Sequence, residues 1–203
     1  VRDQINRLVR KIPTWPLYIG SLIPPAWYFY AGVTGRMGVE PIKAMEHAIG
    51  ILGLQVLIAS LCVTPLRTYA RINLFKFRRA LGLIAFFYIV LHLLVWLLLD
   101  VRIASQIIAD LYKRPYITIG MAGLLLLIPL AITSNRYSIR KLGANWRRLH
   151  WLVYPAVALG GIHFVILRKG WQLEPLLYLT VIGVLLLIRV PMARVIPSRA
   201  RHT

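Results

Sequence analysis

Six apolar runs, each about long enough to cross a bilayer as a helix, limit what this chain can become. They cover residues 15–31, 47–64, 80–99, 116–133, 150–167 and 175–190. A hydrocarbon core of about 30 Å takes roughly 20 residues at about 1.5 Å each. Inside it, backbone N–H and C=O groups can pair only with the protein, so each run is read as a helix. With 59% hydrophobic residues and a mean hydropathy of +0.68, the sequence lacks the polar residues to cover a soluble domain of this size. The expectation is an all-α, polytopic membrane protein, a six-transmembrane-helix bundle forming one domain over residues 1–203. No linker, low-complexity tract or internal repeat is read along it. Pro24, Pro25, Pro129 and Pro155 fall inside runs and are expected to kink or unwind them.

The basic residues set a topology. Eighteen Lys and Arg fall in the N-terminal tail, the second and fourth connections and the C-terminal tail, against seven in the other connections. The minority is Arg36, Lys43, Arg102, Lys113, Arg114, Arg168 and Lys169, and Glu40, Glu46, Asp100, Asp110 and Glu174 share their side. Cytoplasmic connections carry the excess of positive charge, so both termini are expected in the cytoplasm. A net charge of +19 would raise nucleic acid as a partner for a soluble domain. Here the bases lie between apolar runs, and membrane lipid is the partner they imply. The first run has no A-x-A-like cleavage site and is read as a retained span. Trp15, Tyr18, Tyr69, Tyr112, Tyr116, Trp146, Trp151 and Trp171 gather near run ends, where amphipathic rings favour the headgroup level. Cys62, the one cysteine, excludes an internal disulfide and reads as a small apolar residue.

Chemistry is concentrated in histidines. A titratable ring inside hydrocarbon is costly and usually has a partner or a task. His92 lies 13 residues beyond Arg79 on the third run, and His163 lies 15 beyond Arg148 on the fifth. Both rings therefore stand about 20 Å above their arginine collars, at matching depth in the outer half of the membrane. Two neutral imidazoles facing each other across a bundle core are the usual bis-histidine arrangement for haem iron. The competing reading is two unrelated histidines, each bonded to a carbonyl or to water.

His150 follows Trp146, Arg147 and Arg148 at the cytoplasmic edge. Thirteen steps of about 100° set it roughly 140° from His163 on an ideal helix. It is a candidate ligand of a second, inner haem, which would be one-ligand or need a ligand from elsewhere; it is equally a partner for a headgroup or a flavin. His47 opens the second run, and His202 reads as solvated. The pairs Arg78, Arg79 and Arg147, Arg148 are candidates for holding phosphate or haem propionates, or they are ordinary membrane anchors. HExxH, GxSxG, Walker and GxGxxG patterns are missing, and no carboxylate lies well inside a run. A redox role in so short a chain must hand electrons to other proteins.

Several stretches carry a resemblance: EPIKAMEHAIG at 40–50, VTPLR at 63–67, RRALGLIAFFYIVLH at 78–92, RPYITIG at 114–120, SIRKLGANWRRLHWLVY at 138–154 and GIHF at 161–164. In this order and spacing they resemble the MsrQ (YedZ) family, haem-binding membrane subunits within the ferric-reductase-like transmembrane group. The resemblance implies a multi-pass protein of the bacterial inner membrane. It would be a non-catalytic subunit passing electrons from the quinone pool through haem b to MsrP, a periplasmic molybdopterin subunit that reduces methionine sulfoxide in oxidised proteins. It also implies FMN. By position, His92, His150 and His163 match the family's haem ligands, and His47 matches a histidine of its second span. Two-haem members of the wider group carry a second histidine on the third span, where this chain has Arg78 and Arg79. The alternatives are a small transporter or channel, for which the runs offer mainly Gln55, Ser60 and Thr180, and a ferric or quinone reductase with a different partner.

Overall fold

The computed structural model describes residues 2–101, 103–168 and 172–195, with the side chains of Ala104 and of residues 190–195 outside the description. Arg102, Lys169, Trp171, Arg199, Arg201 and His202 thus lie outside the described residues, as does the side chain of Arg194. The described chain is helical: α1 (Arg2–Lys11), α2 (Trp15–Gly20), α3 (Ile23–Val33), α4 (Pro41–Tyr69), α5 (Arg78–Val95), α6 (Ala104–Lys113), α7 (Pro115–Ile132), α8 (Arg136–Leu142), α9 (Ala144–Leu149), α10 (Val153–Leu167) and α11 (Leu173–Val195). A 3-10 turn, Phe75–Phe77, leads into α5, and a π-helical turn, Trp96–Val101, ends it.

Four helical segments among the described residues are long and apolar enough to cross a membrane: Pro41–Tyr69, Phe75–Val101, Pro115–Ile132 and Ala144–Leu167. They correspond to the second to fifth runs. The sixth run falls within α11. The first, 15–31, is divided between α2 and α3 instead of forming one continuous helix. Pro24 and Pro25 restart the helix, because neither has an N–H to continue the preceding turn.

The long helices pack in two antiparallel pairs, α4 along α5 and α7 along α10, with α11 laid against α10 and α4. Their shared core joins Leu57 and Leu61 of α4, Ala85 of α5, Leu127 of α7, Val157 of α10 and Ile182 of α11. Helix α1 is tied to the α4–α5 connection: Asn6 Nδ2 donates to the Arg71 carbonyl at 3.0 Å, the Asn73 N–H donates to Asn6 Oδ1 at 2.9 Å, and Lys76 Nζ donates to the Arg10 carbonyl at 3.0 Å. The basic tail and the basic second connection therefore share one face of the bundle.

Proline leaves carbonyls in this apolar setting that other helices satisfy. Pro65 stands inside α4 and cannot donate to the carbonyl of Leu61, one turn earlier. Arg189 of α11, 7% exposed, reaches across and donates its Nη2 to that carbonyl, with its guanidinium 5.6 Å from the centre of the Tyr154 ring. Pro25 likewise cannot serve the carbonyl of Ser21, and the Tyr88 hydroxyl of α5 donates to it at 2.7 Å. Orphaned backbone groups are expensive in lipid, so these bonds hold the bundle together as well as completing hydrogen bonding. Arg189→Met is expected to cost about 1–3 kcal/mol, the range for a buried acceptor left unmade. Adding Pro65→Ala returns an N–H to α4 and should recover much of that loss. Thermal unfolding in detergent checks it; a double variant as unstable as Arg189→Met would contradict the account.

Candidate metal centre

A cavity of about 470 Å³ lies between the two helix pairs. Its body is apolar, with Leu54 and Leu57 of α4 facing Leu124 and Leu127 of α7. Its polar lining, Lys43, Glu46, His47, Asp100 and Arg114, comes from the start of α4 and from the α5–α7 connection. The cavity thus has one polar end. His92 and His163 both line it, with ring centres 6.3 Å apart and ring planes crossed at 82°.

Each ring is anchored in the same way. His92 Nδ1 lies 2.9 Å from the carbonyl of Glu46 on α4, and His163 Nδ1 lies 2.6 Å from the carbonyl of Tyr116 on α7. A carbonyl only accepts, so both Nδ1 atoms carry the proton, and each Nε2 keeps its lone pair. Metal-ligating histidines are oriented by this kind of outer bond. A metal–imidazole bond is about 2.0 Å and a ring nitrogen lies about 1.1 Å from its ring centre, so two imidazoles on opposite sides of one metal stand roughly 6 Å apart, centre to centre. The observed separation matches.

No group of three or more His, Cys, Asp or Glu that could hold a metal occurs among the described residues. A metal between these two rings must bring its other ligands with it, as iron in a porphyrin does. An apolar cavity with one polar end and two opposed neutral imidazoles fits that group.

The two halves of the site repeat each other, which was not read from the sequence. Ile49-Gly50-x-x-Gly53-Leu54 on α4 recurs as Ile119-Gly120-x-x-Gly123-Leu124 on α7. The carbonyl that holds each histidine belongs to the residue one turn before Gly50 or Gly120. Buried Ala85 and Ala156 precede His92 and His163 respectively by two turns. Gly53 packs on Tyr88 and Ile89 of α5, and Gly123 on Ala156 and Leu159 of α10. The signal was present in the IGxxGL pair, but apolar residues surround it and hide it in a search for longer identity.

Comparison with known proteins agrees with this architecture. The family model "Ferric reductase like transmembrane component" matches residues 47–161. A protein-methionine-sulfoxide reductase heme-binding subunit MsrQ from Agrobacterium fabrum is 51% identical over 173 residues, covering 85% of this chain and 80% of that protein. One with the same name from Brucella ovis is 47% identical over 176 residues, covering 86% and 80%. The chain belongs to the MsrQ family. No solved structure matches it.

The other candidate residues of this MsrQ-family chain are placed apart from the cavity, except His47, which lines it. His150 begins the 3-10 turn His150–Leu152 that joins α9 to α10. Its Nδ1 is 3.0 Å from the Trp146 carbonyl of its own helix, and its ring stacks on Trp146 at 3.9 Å. Trp146 is fixed in turn by its Nε1 bond to the Thr133 carbonyl at 2.9 Å. His150 Nε2 is buried without a hydrogen-bond partner. Arg78 is half-buried and within electrostatic range of His150 and Arg189, whereas Arg79, Arg147 and Arg148 are exposed. None of these arginines lines the cavity, whose cations are Lys43 and Arg114. Those two lie in the base-poor connections, where the sequence showed only sparse charge and nothing to mark them as lining a site.

Proposed function

We propose that the chain is a haem-binding electron-transfer subunit of the bacterial inner membrane, carrying electrons from the quinone pool outward to a periplasmic methionine sulfoxide reductase of the MsrP type. The observation that carries this reading is the pair of carbonyl-anchored imidazoles, His92 and His163, 6.3 Å apart in an apolar cavity. Haem b there would supply a one-electron carrier. The chain's own residues do the rest. His92 and His163 would hold its iron, the leucines of α4 and α7 exclude water, and Lys43 and Arg114, with His47 beside them, would hold its acidic groups at the polar end of the cavity.

His150, with its buried free Nε2 and Arg78 nearby, is the candidate site for an inner cofactor where electrons enter. A second haem at this place, and FMN, are proposed on the family resemblance, as are the quinone donor and the MsrP acceptor. The transport reading finds less support. Gln55 Nε2 donates to the Tyr178 hydroxyl at 2.6 Å, and Ser60 Oγ donates to the Leu57 carbonyl at 2.7 Å, so both side chains are engaged in contacts within the bundle.

Purified protein is expected to give a b-type reduced-minus-oxidised spectrum, and its absence would remove the reading. Replacing either His92 or His163 by Ala should abolish that low-spin haem, because a bis-histidine site does not survive loss of an axial ligand. His150→Ala should leave it in place; loss of all haem on that change would overturn the pairing. The topology predicts that Lys113→Cys is labelled by an impermeant thiol reagent from the periplasm. Arg140→Cys should react only after permeabilisation, and the reverse pattern would invert the protein.

A further inference from the structure

We propose that Gly50 and Gly120 are positioning residues that hold the two axial imidazoles with their planes crossed, each helix pair applying the same constraint to its own histidine. This rests on the haem reading above and extends it to the electronic state of the iron.

An axial imidazole has two freedoms that matter: where its Nε2 sits, and how far its plane is turned about the metal–nitrogen bond. The Nδ1 bond to the Glu46 or Tyr116 carbonyl restrains the first and part of the second. The glycine closes the remainder. A Cβ built on Gly50 would lie 2.9 Å from His92 Nδ1 and 3.1 Å from its Cε1. On Gly120 the corresponding distances to His163 are 2.8 and 3.0 Å. The shorter of these, 2.9 and 2.8 Å, are closer than real side chains come, so each ring rests directly on the backbone of the neighbouring helix. The threatened atoms are the tethered edge of the ring, not the end of a flexible chain. A methyl group there must turn the ring or push it off its carbonyl.

The sites are equivalent in kind, and the resulting planes cross at 82°. Each imidazole donates π density into one of the two iron d orbitals, dxz and dyz, whose lobes flank the metal–ligand axis. Parallel rings load one orbital and separate the pair in energy. Crossed rings load both equally, leaving the pair nearly degenerate with a large orbital moment. Oxidised low-spin iron then gives an EPR signal dominated by one very large g value, in place of the rhombic signal of parallel rings. By contrast, a Cβ on Gly82, a helical glycine of α5, meets nothing within 4 Å.

The test is EPR of the oxidised full-length protein in detergent, with the visible spectrum recorded on the same samples. Wild type should show the b-type band and the single large-g feature, and Gly82→Ala should match it. Gly50→Ala and Gly120→Ala should shift that feature toward the rhombic pattern, or lose haem while still eluting as folded protein. A wild type with the b-type band and a rhombic signal would overturn the crossing even if neither alanine variant accumulates. Alanine variants with the wild-type signal would overturn the role of the glycines. No b-type band in wild type would instead remove the haem reading beneath both.

Discussion

Two hydrogen bonds between imidazole and backbone organise this protein. His92 and His163 each give the Nδ1 proton to a helix carbonyl on the neighbouring member of their own pair, and that leaves two Nε2 lone pairs in one apolar cavity. For the bonds to form, α4 must approach α5 closely at Gly50 and α7 must approach α10 closely at Gly120. The same approach continues one turn on, at Gly53 and Gly123. Leucines beyond these contacts then enclose the cavity instead of filling it. The helix pairs, the glycine pattern and the site are thus aspects of one arrangement, and in hydrocarbon such close backbone packing is a main source of helix association.

The same solvent explains features that in water would be incidental. A carbonyl orphaned by proline can be hydrated on a soluble protein's surface, but within a span it needs a donor from the chain. Tyr88 supplies one to Ser21 and Arg189 supplies one to Leu61. A buried guanidinium is expensive in lipid, so a structural task for Arg189 is a fuller account of its burial than charge topology alone. Proline also marks where the first run breaks. The chain ties several of its polar side chains into short contacts of this kind.

Much of this was legible in the residues. The second to fifth runs could be placed because hydrophobic length is a strong signal in a membrane protein. The depth of His92 and His163 followed from counting residues above Arg79 and Arg148, since a helix converts sequence distance into height. Height does not give azimuth, so counting could not say that the rings meet, nor which atoms turn them. Those facts depend on Glu46 and Tyr116 through their carbonyls, which are invisible in side-chain chemistry. The division of the first run between α2 and α3 was half visible in Pro24 and Pro25. The twofold likeness of the helix pairs is faint in the sequence because only the short IGxxGL pattern repeats, and the apolar residues around it are interchangeable.

Separation of the cavity from His150 gives the chain two ends with different chemistry. One end has opposed imidazoles and a polar mouth; the other has one histidine stacked on Trp146 near a cluster of arginines. The central claim concerns the cavity, and a density map of the purified protein addresses it most directly. The account predicts a porphyrin in the cavity between α4, α5, α7 and α10, its iron bonded to Nε2 of both His92 and His163. Iron held by any other pair of residues, or a cavity packed with lipid alone, would contradict it.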